Sequence, residues 1–156
     1  VQHHFPGGKE ELALSAVDAA AAMVSRTIAK AFRDHASAAD AISWWFDKAA
    51  ELLESSGYRS GCPLATIALE KSHDSPALTA AIEQAFNQWL TQLGEELQQC
   101  GASAGSSAEL ALQILVVLEG ALVLARVLST TVPIRASAAT VATLIARHET
   151  AVPPSG

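Results

Sequence analysis

The sequence holds 156 residues with a net charge of −6, half of them apolar and only 17% charged. That is enough chain to bury about two thirds of its unfolded surface in one domain without metal or disulfide, and the acidic balance excludes gripping a nucleic-acid backbone by bulk charge, which needs concentrated Lys and Arg. Its two cysteines, Cys62 and Cys100, form neither a disulfide framework nor a metal-ligand spacing, which suits a reduced, cytoplasmic interior.

No run alternates Val, Ile, Thr and aromatics, so the reading is all-α, with about six helices. Prolines at positions 6, 63, 76 and 133 each stand where an apolar helical pattern starts. The first helix is expected over residues 9–35, after Gly7 and Gly8, with Glu10 and Glu11 suiting its N-terminus and Leu12, Ala16, Ala20, Val24, Ile28 and Phe32 forming its inner stripe. The second, over residues 38–55, puts Ile42, Trp45, Phe46, Ala49, Leu52 and Leu53 on one face, leaves Trp44 at the stripe's edge and ends at Gly57. A short third helix follows Cys62 and Pro63, with Leu64, Ile67 and Ala68 inward. Ser75 and Pro76 then cap and open a fourth, striped by Leu78, Ile82, Phe86, Trp89, Leu93, Leu97 and Cys100 against a polar face of Glu83, Asn87, Thr91, Glu95 and Gln98.

Residues 101–106 are rich in Gly, Ser and Ala and read as a mobile loop. The fifth helix, over residues 107–130, is apolar nearly all round, which in a soluble protein means burial on more than one side. One face is Leu110, Ile114, Val117, Ala121, Leu124 and Leu128; the opposite one is Leu112, Leu115, Glu119, Leu122 and Arg126, where Glu119 and Arg126, two turns apart, suggest a polar network. A sixth helix from Pro133 to about Thr150 repeats the seam with Ile134, Ala138, Val141, Ile145 and His148. Two adjacent apolar seams cannot cover themselves, so the economical arrangement is a symmetric four-helix dimer interface built from Leu110, Ile114, Val117, Ala121, Leu124, Leu128, Val141, Ile145 and His148.

Residues 110–128 are about long enough to span a bilayer, but they contain Gln113, Glu119 and Arg126. A charge at a helix centre costs roughly 2.5–3.5 kcal/mol on insertion scales, so a membrane span is not expected. The histidines at 3, 4, 35, 73 and 148 have no zinc-like spacing, and no metal or cofactor is expected. Neither a nucleophile elbow, nor a phosphate loop, nor a carboxylate pair with a base occurs, so nothing supports an enzyme.

Residues 3–12, His-His-Phe-Pro-Gly-Gly-Lys-Glu-Glu-Leu, resemble the join between the recognition helix and the following helix of tetracycline-repressor (TetR) family regulators. Gly61-Cys62-Pro63-Leu64 with Ala68-Leu69-Glu70, and Leu118-Glu119-Gly120-Ala121-Leu122, resemble the family's LmrA/YxaF-like subgroup. The resemblance implies a TetR-like helical body over residues 9–150, a remnant of the helix-turn-helix domain over 1–8 and a tail over 151–156, with most of the DNA-binding head lying before Val1. It places Gln2, His3 and Lys9 toward DNA, with Lys9 in a phosphate-contact position and Gln2 standing where a phosphate-contacting tyrosine is usual.

The implied function is a ligand-responsive transcriptional regulator, a repressor that releases operator DNA when a small apolar or aromatic effector, flavonoid-like or drug-like, binds the body. The effector-site candidates are Trp44, Trp45, Cys62, Phe86, Trp89, Leu93, Leu115, Glu119 and Leu122, with Arg126 as a second possible polar contact. Each has a plainer reading: Trp45 and Trp89 serve equally well as core, and Cys62 as a small buried residue. The competing view of the whole chain is a structural dimerisation module with no physiological ligand.

Overall fold

The computed structural model describes residues 8–71, 73 and 75–150. Among them the chain forms six helices and no strand: α1 (Gly8–Asp34), α2 (Ala38–Ser55), α3 (Pro63–Lys71), α4 (Pro76–Gln99), α5 (Ala104–Leu128) and α6 (Val132–Thr150). Side-chain caps start several of them by satisfying amide groups that the first turn leaves without partners. Ser37 Oγ accepts from the Asp40 amide at 3.1 Å, Ser75 Oγ from Leu78 at 3.1 Å, and Ser103 Oγ from Ser106 at 3.3 Å. The last of these differs from expectation: the Ser103 cap starts α5 at Ala104, so the second half of the stretch read as a mobile loop is the first turn of a helix.

α2 ends where Gly57 (φ 69°) and then Tyr58 (φ 61°) turn left-handed, a region open to glycine and costly for tyrosine. The Tyr58 amide donates to Leu53 O at 2.9 Å, which closes the helix and sends residues 59–62 across the bundle. α1 packs against α2, α3 and α4; α4 against α5; α5 against α6; and α6 returns against α2. Fully buried between them are Ile28, Ile42, Phe46, Leu53, Leu64, Leu78, Trp89, Leu93, Leu97, Leu110, Ile114 and Ile134.

The α4 stripe lies where its spacing puts it, with Leu78, Ile82, Trp89, Leu93 and Leu97 buried and Glu83, Asn87, Thr91, Glu95 and Gln98 exposed. On α1 the stripe is rotated. Ala13, Val17, Ala20, Ile28 and Ala31 are buried, whereas Leu12 and Ala16 face out, because a helix this rich in alanine gives the pattern little to discriminate by.

Candidate effector cavity and its surroundings

An apolar pocket of about 110 Å³, open to solvent on the side of Met23 and Leu52, lies between α1, α2, α5 and the connection from α2 to α3. α2 contributes Trp45, Lys48, Ala49 and Leu52, a row at i, i+3, i+4 and i+7. α5 supplies Leu115, Leu118, Glu119 and Leu122; α1 adds Met23, Val24 and Thr27; and the connection closes one side with Ser60, Gly61, Cys62 and Pro63. From α4 only Trp89 reaches it. The space matches a single aromatic ring rather than a drug-sized molecule, since a comparable dry cavity of about 150 Å³ holds benzene.

Six of the sequence-derived candidates therefore meet at one place: Trp45, Cys62, Trp89, Leu115, Glu119 and Leu122. Three do not. Trp44, one residue and about 100° round the helix from Trp45, lies half-buried 6.0 Å from the His35 ring, with Lys30 and Lys48 Nζ 5.9 and 6.0 Å from its ring centre. Phe86 meets Trp89 edge-on at 5.4 Å and packs behind it. Leu93, one turn beyond Trp89, is wholly buried core. The Met23, Val24 and Thr27 wall was missed; its signal, a residue pair and its i+4 neighbour on α1, is hidden among alanines.

The cavity has one carboxyl group well inside it. Glu119 Oε2 is buried, and no group among the described residues hydrogen-bonds it. Burial pushes the Glu119 carboxyl above the usual range, partly offset by a hydrogen bond from the Cys62 thiol. The thiol is itself pushed up to about 12, first by burial and then by the Glu119 charge. Cys62 is thus a neutral donor at physiological pH and a poor nucleophile, since the thiolate is the reactive form. The expected Glu119–Arg126 network is not formed, as Arg126 is exposed while Glu119 turns inward.

Trp89 belongs to both the cavity and the contact between helices. Its Nε1 donates to Ala21 O on α1 at 3.1 Å. One turn further on, Gln92 Nε2 donates to Ser25 O at 2.8 Å and Gln92 Oε1 accepts from Ser25 Oγ at 2.9 Å. At the start of both helices, Ser75 Oγ donates to Glu10 Oε2 at 2.7 Å. α1 is therefore pinned to α4 along most of its length by side-chain hydrogen bonds, and it also forms a wall of the cavity.

Residues 38–140 match the family model for the transcriptional regulator LmrA/YxaF-like C-terminal domain. The chain belongs to this family. It is 26% identical to the HTH-type transcriptional regulator LmrA of Bacillus subtilis over 132 residues, covering 85% of this chain and 70% of that protein. An uncharacterised HTH-type regulator of Mycobacterium tuberculosis, Rv0196, is 31% identical over 130 residues, covering 80% of this chain and 65% of the relative. A TetR transcriptional regulator from Chloroflexus aurantiacus, solved by crystallography, superposes with a TM-score of 0.71 at 28% identity, over 92% of this chain and 75% of the other. The chain thus spans about two thirds of the length of the relatives it matches. All of these relatives are transcriptional regulators rather than enzymes.

Two further surfaces are relevant to a member of this family. Of the residues assigned to DNA, Gln2 and His3 lie outside the described residues, as does the tail over 151–156, and Lys9 is exposed in the first turn of α1. Of the pairing seam, Leu110, Ile114, Ala121, Val141 and Ile145 are buried in the protomer's own core and Val117 is half-buried; only Leu124 and Leu128 are exposed. His148 is half-buried in a crevice with Ala38, Leu97, Cys100 and Ile145.

The exposed apolar surface of α5 adds a second row to Leu124 and Leu128. Leu112, Val116, Val123 and Val127 stand 51–76% exposed at spacings of four, seven and four, with Val132 of α6 at 65% beside them. On α6 the outward residues include Ala136, Ala139, Thr140, Thr143 and Ala146, which are small enough for close helix approach. By length and hydropathy α1 and α5 would each suffice to cross a membrane; 44% of the α5 window is buried in the bundle. Its remaining hydropathy sits on this outward face.

Proposed function

We propose that this chain is the effector-binding and pairing body of a ligand-responsive transcriptional repressor. The supporting observation is the apolar cavity walled by Trp45, Trp89 and α5, with α1 forming a side of it. A small apolar or aromatic molecule entering there spreads Met23 and Val24 away from Leu115 and Leu122. Because Trp89 and Gln92 hold α1 by its backbone carbonyls, a displacement of either helix is passed to the other rather than absorbed at a loose contact.

In this reading residues 9–150 are the body, α1 leads back through residues 1–8 to the DNA-binding head, and the body pairs with a second copy through the outward faces of α5 and α6. The two heads then sit about 34–36 Å apart, the repeat of successive major grooves. A ligand that prefers another spacing lowers operator affinity by its differential affinity for the two states, typically ~1–3 kcal/mol. Such a protein works in the cytoplasm, where its operator is.

The test is an operator-binding measurement on the regulator carrying its head domain, with and without a saturating small aromatic that quenches Trp45 and Trp89. The expected outcome is a 5- to 150-fold loss of operator affinity, the range of ~1–3 kcal/mol of coupling. Equal affinity with and without bound ligand would contradict the sensor reading and leave the dimerisation module.

A further inference from the structure

The cavity wall is apolar except at a few places, and those places are not equivalent. Thr27 and Ser60 offer hydroxyls, and Lys48 reaches the mouth, where its Nζ lies 3.4 Å from Glu51 Oε2 on the outer surface. Glu119 is different in kind. Its carboxylate is carried on the helix that forms the cavity's inner wall, and Oε2 is removed from solvent with no hydrogen-bonding group among the described residues. The Cys62 thiol is its neighbour and brings no positive charge.

A carboxyl group in such a place is costly, because buried acceptors need donors and buried charges need a counter-charge. The chain supplies only a weak donor, the neutral Cys62 thiol, and no counter-charge from α1, α2, α4 or the 59–62 connection: their other groups are Met23, Val24, Thr27, Trp45, Trp89 and Ser60, none of which hydrogen-bonds Oε2, with Lys48 engaged outside. The two indoles add π faces, the environment that favours an organic cation stripped of water.

We propose that the effector class is a small lipophilic amine: an aromatic or aliphatic body of about one ring held between Trp45 and Trp89, whose protonated nitrogen donates to Glu119 Oε2. This deepens the effector-cavity reading and rests on it. Glu119 is then the residue that sets specificity, and the apolar walls supply affinity without choosing the charge. The geometry also disfavours carboxylate ligands, which would bring like charges together in a water-poor space.

The experiment uses three phenyl compounds of nearly equal size and the full chain. Benzylamine, benzyl alcohol and ethylbenzene are titrated while the indole N–H signals of Trp45 and Trp89 are followed, with wild type and Glu119→Gln in parallel. The expected result is that benzylamine binds wild type at least about tenfold more tightly than ethylbenzene, the low end of a charge-assisted hydrogen bond. Glu119→Gln should cut that preference to within about threefold, leaving ethylbenzene affinity unchanged or improved. The wild-type comparison stands alone should the variant fold poorly.

Ethylbenzene binding as tightly as benzylamine would overturn the amine assignment while leaving the effector cavity in place. A preference for benzyl alcohol over benzylamine would overturn it in favour of a neutral donor. Failure of all three to shift either indole would remove the cavity reading and this one together.

Discussion

α4 and α5 lie side by side, and they report on their surroundings in opposite ways. α4 has one apolar and one polar face, so its sequence states which side is inward: Leu78, Ile82, Trp89, Leu93 and Leu97 are buried and Glu83, Asn87 and Thr91 are not. α5 is apolar on every side, because three different surfaces use it. Leu110, Ile114 and Ala121 fill the core, Leu115, Leu118 and Leu122 wall the cavity, and Leu112, Val116, Val123 and Val127 face out. A hydrophobic pattern records that a residue leaves water in the working protein, and not which partner removes it.

The comparison breaks first at the α4 core. Leu93→Ala should lose about 2–5 kcal/mol of stability, the range for a wholly buried leucine whose site cannot collapse, measured by denaturant unfolding. A cost below 1 kcal/mol would mean that α4 is looser than its packing indicates. Trp89→Phe should lose less, about 1–3 kcal/mol, from the smaller ring and the vanished donor to Ala21 O. It should also weaken the dependence of operator binding on ligand, which a purely structural indole would not do.

On the cavity side of α5 the sign reverses, since Glu119→Gln removes a group that is unfavourably buried. The raised Glu119 carboxyl means that the folded chain binds this proton more tightly than the unfolded chain. Stability therefore falls as pH rises from the ordinary carboxyl range through the raised folded value. Glu119→Gln should melt higher than wild type at pH 8, and the difference should shrink toward pH 4, as followed by circular dichroism. Cys62, pushed up to about 12, does not titrate in this window. Lys48, at the mouth, is the other charged group on the cavity wall.

The smallest effect on the fold belongs to the outward face. Val116→Ser with Val127→Ser should leave protomer stability within about 0.5 kcal/mol per site, as for exposed positions in general. The same pair should shift sedimentation from paired to single chains at micromolar concentration. Unchanged pairing would place the interface elsewhere on α5 and α6.

The helix order and most helix ends were legible in the sequence, because Ser75, Pro63, Pro76 and Gly57 are local signals with local causes, whereas the Ser37 cap emerged only in the structure. Trp45, Cys62, Trp89, Leu115, Glu119 and Leu122 were recognised as a group, but for a mixture of reasons. Some came from family resemblance and some from aromatic size, and the same reasoning drew in Trp44, Phe86 and Leu93, which pack elsewhere. The pairing seam is less legible, since most of the residues expected there fill the protomer's own core while Leu124 and Leu128 stay exposed. Two rows of α5 have nearly the same hydropathy, and the choice between them is made by how α4 and α6 dock, which lies outside the helix itself.

The most direct test of the central claim, that the inner side of α5 walls a ligand cavity, is a calorimetric titration of the chain with toluene beside a Leu122→Trp variant that fills the space. The account predicts saturable binding of one toluene per chain, lost in the filled variant while its helical content and melting are retained. Toluene binding that is absent from wild type, or that survives filling of the cavity, would contradict it.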